Sequence, residues 1–167
     1  MKPACLVLGC LFCIAFVTVI PVQAFTAKTL SITVKGNGDA QMDMQYDLTL
    51  TERAAIFFHF ADPSSELQTV LSENFNQPVT VVRADSSSAE VIIPSFASVA
   101  QSGSITTTTT PSLSFARAEE IMNQYWFASL ISPHLSPRLT TVTFADGYQT
   151  SFWNQISIPS VSHQIVA

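Results

Sequence analysis

Residues 30–50 read LSITVKGNGDAQMDMQYDLTL, and their alternation constrains the fold more than any other stretch. Leu30, Ile32, Val34, Ala40, Met42, Met44, Tyr46, Leu48 and Leu50 are apolar or aromatic, whereas the odd-numbered residues between them are polar. A period of two sends one set of side chains to a core and the other to water, which is the signature of a half-buried strand. Gly36-Asn37-Gly38 interrupts the alternation with residues that take positive φ at little cost, so the stretch is expected to fold as a β-hairpin.

Upstream, Met1-Lys2-Pro3 gives a short positive start, residues 4–20 are almost wholly apolar, and Val22-Gln23-Ala24 supplies small residues at a V-x-A cleavage site. Residues 1–24 therefore read as a secretory signal peptide, with residues 25–167 as one domain. The apolar run approaches the length of a membrane span, so an uncleaved anchor is the alternative. Leu8-Gly9-Cys10 falls too early in the run to serve as a lipid-attachment site. All three cysteines, Cys5, Cys10 and Cys13, lie in this leader, leaving the exported domain without thiol or disulfide chemistry.

Beyond the leader, six dispersed cations (Lys28, Lys35, Arg53, Arg83, Arg117 and Arg138) face twelve acids. Nucleic acid is excluded as a partner on this reading, because phosphate binding needs a positive patch. Only 11% of the chain is charged, against roughly 25% in ordinary soluble domains. Threonine, serine, glutamine and asparagine take the polar positions instead, and a surface of that kind repels its own copies weakly.

Helical features follow the hairpin. Thr51 and Glu52 open a first helix over residues 54–61, and Asp62-Pro63 starts a second whose face carries Leu67, Val70, Leu71 and Phe75. A buried strand over residues 56–60 is the alternative to the first of these. Residues 79–83 and 89–93 form a second hairpin around a turn at 84–88. Five consecutive threonines, Thr106, Thr107, Thr108, Thr109 and Thr110, are branched at Cβ and favour extended backbone. They are expected to form an edge strand, with a glycosylated stalk as the compositional rival. Ser114 caps a further helix with Phe115, Ala118, Ile121, Met122 and Tyr125 on one face. A third hairpin turns at Asp146-Gly147, and the weakly charged tail after Pro159 is suited to docking. The order ββ-αα-ββ(β)-α-ββ predicts an α+β domain: one mainly antiparallel sheet of three hairpins, with two to three helices on one face.

The candidate sites are sparse. His59, His134 and His163 lack the paired spacing of metal ligands, and no G-x-S-x-G places a nucleophile beside any of them. Asp43 and Asp47 share a strand face but stand ~14 Å apart, beyond the ~5–9.5 Å of a glycosidase pair. Asn37, Asp39, Gln41 and Asp43 match half of a calcium loop, yet a hairpin strand produces the same alternation. No cofactor, metal or catalytic residue is assigned. Tyr125, Trp126, Phe127 and Trp153 read first as core packed beneath the last hairpin, with an aromatic contact patch as the alternative. Sheet alternation puts Phe152 and Trp153 on opposite faces.

Tyr125-Trp126-Phe127-Ala128, Ser132-Pro133, Ser136-Pro137, the stretch VTFADGY at 142–148 and IPSVSH at 158–163 form a pattern, together with Lys35-Gly36-Asn37-Gly38 and Tyr46-Asp47-Leu48. It resembles small secreted proteins of methanogenic archaea, and the resemblance implies a non-enzymatic cell-sheath or surface-layer subunit. Its motifs are turn and packing residues, so it carries over no functional residue. The expectation is an exported structural protein, located in the extracellular envelope, whose partners are copies of itself and other envelope components. Assembly would run through sheet edges, the threonine run among them. A secreted binding or adhesion module using the aromatic patch is the alternative, and a hydrolase drawing on His134 or His163 is a third.

Overall fold

A computed structural model describes residues 25–49, 52, 63–125 and 134–166. Strands β1 (Thr26–Val34) and β2 (Ala40–Asp47) form the expected hairpin, with Ile32 opposite Met42 and Val34 opposite Ala40, all buried. Gly38 turns the chain at φ +89°, and its carbonyl accepts the Ala97 N–H at 2.8 Å. A Cβ on Gly38 would run into the Ala97 carbonyl oxygen, so both the dihedral and the close approach demand glycine there.

The hairpin gains a strand on each side. β3 (Thr80–Ala84) and β4 (Ser88–Ile93) form the second hairpin, and β4 adds antiparallel to β2. β8 (Leu139–Thr143) and β9 (Gln149–Trp153) form the third, and β8 adds parallel to β1, giving the order β3-β4-β2-β1-β8-β9. One face of this sheet supplies Leu30, Ile32, Val34, Met42, Val91, Ile93 and Val142 to the core. Helices α1 (Pro63–Phe75) and α2 (Phe115–Met122) pack on it through Leu71, Phe75, Phe115, Ala118 and Met122. Ser114 caps α2 as the sequence indicated, its Oγ accepting the Arg117 N–H at 3.2 Å.

The expectation of a single sheet is corrected to three sheets in a mostly β fold. β5 (Ser98–Ser102) and β6 (Ile105–Thr109) pair with each other and with β11 (Ser162–Val166) in a separate three-stranded sheet, order β11-β6-β5. β7 (Leu113–Ser114) and β10 (Ser157–Ile158) make a short two-stranded ladder. The physical reason is occupancy: β4 and β8 already fill both sides of the first hairpin. Pro94 and Ser95, the latter at φ +49°, then bend the chain away, and Asp39 accepts the Ser95 N–H at 2.9 Å to hold that bend. The docked tail, as β11, is the strand that completes the second sheet.

Turns are closed by short polar side chains. Asp85 accepts from the N–H and hydroxyl groups of both Ser87 and Ser88 at 2.8–3.0 Å, and those bonds pull its carboxyl down to about 2. Tyr46 donates its hydroxyl to the Asp85 carbonyl at 2.6 Å, tying β2 to the same turn, and burial followed by the Asp85 charge pushes that hydroxyl up to about 12. The sequence reading of Thr51 as a cap falls beside a different contact: Thr49 Oγ1 accepts the Glu52 N–H at 3.2 Å, and Glu52 Oε2 accepts the Thr49 N–H at 2.7 Å. This is the reciprocal bonding of a capping box, set by the T-x-x-E spacing. The helix expected over residues 54–61, His59 included, lies outside the described residues. Gly38→Ala should lower stability by about 2–4 kcal/mol, measured by urea denaturation, since it combines backbone strain with an overlap on Ala97.

Candidate assembly edges and the aromatic surface

A free strand edge is defined by which backbone groups point away from the neighbouring strand, and the register sets this for each outer strand. β3 is closed. Its register slips between Val81 and Arg83, Arg83 places a charge on it, and α1 screens it, because Gln68 Oε1 accepts the Val81 N–H at 3.2 Å. A bulge, a charge and a covering helix are the usual protections of an outer strand.

The outer strands of the two larger sheets other than β3, namely β5, β9 and β11, lack these features among the described residues. In β9, the bonds Phe144 N–H to Tyr148 O and Asn154 N–H to Arg138 O fix the phase of the ladder. Alternation then directs the backbone groups of Gln149, Ser151 and Trp153 outward. In β11, the Thr110 N–H to Val161 O bond sets Ser162, Gln164 and Val166 outward, and by the same phase β5 turns out Val99 and Gln101. None of β5, β9 and β11 contains Lys, Arg, Asp, Glu or Pro.

The threonine run is placed differently from expectation. β6, which holds Thr106, Thr107, Thr108 and Thr109, is the central strand of its sheet, paired with β5 on one side and β11 on the other. Thr108 and Thr110 are 3% and 4% exposed, and Thr110 Oγ1 accepts the Val161 N–H at 3.0 Å. These residues are corrected from an assembly edge to the interior of a ladder. Branching at Cβ favours extended backbone equally in both places, so composition could not separate them.

Only two members of the aromatic patch, Tyr125 and Trp153, fall among the described residues. Tyr125 is half-buried and its hydroxyl donates to Glu73 on α1 at 3.3 Å, while Trp126 and Phe127 lie outside the described residues. Trp153 is 64% exposed on β9, and Ile156 beyond it is 66% exposed, whereas Phe152 packs on the core side as the alternation indicated.

A cluster that the sequence did not single out joins the two larger sheets. His163 of β11 stacks on Tyr148 at 4.2 Å and 4°, lies 5.2 Å from the Phe144 ring, and has Nε2 2.7 Å from Asp146 Oδ2. The His163 bond, then the Tyr148 N–H, hold the Asp146 carboxyl below its ordinary value. This is an acid and an imidazole in contact, but among the described residues no hydroxyl hydrogen bonds to the ring, and the pair sits on the surface of a turn. The described depression of about 560 Å³ lies elsewhere, lined by Ser114, Ala116, Arg117, Glu120, Ile121 and Gln124. What the cluster does is fasten β11 to the β8–β9 turn. His134 is exposed and uses its backbone, donating to Phe25 O and accepting from Ala27 N–H.

The oxygen-rich stretch 37–43 serves the hairpin. Asn37 bonds Asp39 at 2.7 Å, and Gln41 donates to Glu90 across the β2–β4 pair at 2.9 Å. Asp47 pairs with Lys28 at 2.8 Å. Among the described residues there is no group of three or more His, Cys, Asp or Glu placed to hold a metal, and no helix long and apolar enough to cross a membrane.

Because Asp146 has a lowered folded pKa, its contribution to stability is present above the ordinary value of 3.8 and is lost as pH falls through the folded one. Asp146→Asn should therefore speed amide exchange of His163 and Ile165 roughly threefold at neutral pH. The difference from the wild-type chain should shrink on acidification, as read by hydrogen exchange. Comparisons of the chain with protein-family models, curated proteins and solved structures return no match.

Proposed function

We infer that this is an exported structural protein whose copies join through the outer strands β5, β9 and β11 to build an extracellular coat or sheath. One observation carries the reading: among the described residues, β5, β9 and β11 turn backbone groups outward with no partner strand, charge, proline or covering helix, and only the Trp153 carbonyl meets a side chain, Gln155 at 3.2 Å, while β3 has a bulge, a charge and a helix together. A lone secreted domain with such edges is prone to uncontrolled pairing, whereas a coat subunit uses the same vacancies to complete a ladder with its neighbour. More than one open edge per copy lets each copy hold two neighbours, the condition for open-ended growth. The low charge of the chain supports the same reading, since it leaves little repulsion between copies. A secreted binding module is the second reading, favoured by the exposed Trp153 and Ile156.

The experiment is light scattering and negative-stain imaging of the exported domain across a range of concentration and salt. The wild-type chain should assemble. Gln101→Lys, Ser151→Lys and Gln164→Lys together should keep it monomeric with an unchanged circular dichroism spectrum, since all three positions are exposed. Trp153→Ala leaves the β9 backbone in place, so it should preserve assembly here, but abolish ligand retention if the binding reading is the correct one. A wild-type chain that stays monomeric throughout overturns the assembly reading.

A further inference from the structure

Glu52 is the one described acid that is buried, at 2% exposure, and the surface edges make no use of it. Each of its carboxyl oxygens is held by a backbone N–H: Oε1 by Phe25 at 2.7 Å and Oε2 by Thr49 at 2.7 Å. Among the described residues no Lys, Arg or His forms an ion pair with it. A buried carboxylate whose described partners are neutral is costly, and the cost falls when a cation occupies one of those places. Phe25 is fixed on every other side. Its carbonyl accepts the His134 N–H at 2.9 Å, and its ring lies 4.8 Å from that of Tyr46. The residue immediately before it is Ala24, the last of the small-residue site Val22-Gln23-Ala24.

We propose that the Ala24–Phe25 peptide bond is hydrolysed during export and that the new α-ammonium of Phe25 becomes the buried counter-ion of Glu52. An export peptidase that cuts after small side chains adds water across the bond. The hydroxyl joins the Ala24 carbonyl carbon, the C–N bond breaks, and the nitrogen leaves protonated on Phe25. That nitrogen already stands beside Oε1, so processing changes its charge without moving it. Cutting at any other bond puts an uncharged amide, or no nitrogen at all, in that place. The leader's removal thereby completes a structural ion pair that ties the start of β1 to the segment that follows β2.

The proposal rests on the export half of the reading above and is independent of assembly. N-terminal sequencing of the secreted protein should return Phe-Thr-Ala-Lys, and any other start overturns it. Separately, a chain beginning at Phe25, released from a fusion in vitro, is compared with one that keeps Ala24 in front. The first should melt about 5–10 °C higher, and Glu52→Gln should erase that difference; equal melting temperatures overturn the pairing. If Glu52→Gln does not fold, reductive methylation of the Phe25 amine decides. Native protein should react at least tenfold more slowly than protein in urea, and a smaller ratio overturns the pairing. None of these readouts depends on whether copies join.

Discussion

The pairing of β1 on both of its sides is the constraint from which the rest of this structure follows. β2 and β8 flank the two edges of the strand that carries Ile32 and Val34, and its core face is buried in one cluster with residues such as Phe96 and Phe115. With those neighbours in place, the hairpin of β5 and β6 cannot pair with β1 or β2. It is displaced into a second sheet that must recruit its third strand from the carboxyl-terminal tail. Gly38 is where the two arrangements meet, since its carbonyl bonds Ala97 just before β5 begins.

Local chemistry made much of this legible. The period of two around Gly36-Asn37-Gly38, the Ser114 cap and the Asp146-Gly147 turn each specify a short-range geometry, and each appears where the residues place it. The partner of each hairpin was not legible, because neighbours in a sheet are chosen by non-local burial that leaves no trace in a local period. The parallel union of β1 with β8 and the central position of the threonine run are both of this kind. At Glu52 the signal was present in another form. The T-x-x-E spacing from Thr49 marks a capping box, and it competes with the nearer Thr51 as the reading of the same helix start.

Asymmetry of the outer strands gives the functional reading its content. Serine, glutamine and threonine on β5, β9 and β11 keep those strands soluble side by side with water while leaving their backbone groups available. The His163, Tyr148 and Asp146 cluster adds rigidity there, because it holds β11 against the turn that leads into β9. Two of the outer strands are thereby held as one fixed unit, which on the proposed reading would reduce the entropy lost when a copy binds.

The union of Thr29 with Leu139 also has a kinetic meaning. The two segments that form the middle of the main sheet lie far apart in the chain, so a growing chain cannot finish that sheet until β8 has been made. Contacts of such long range fold slowly. On the export reading proposed above, a chain with this wiring would meet a translocation channel while the centre of its main sheet is still open, and so still threadable.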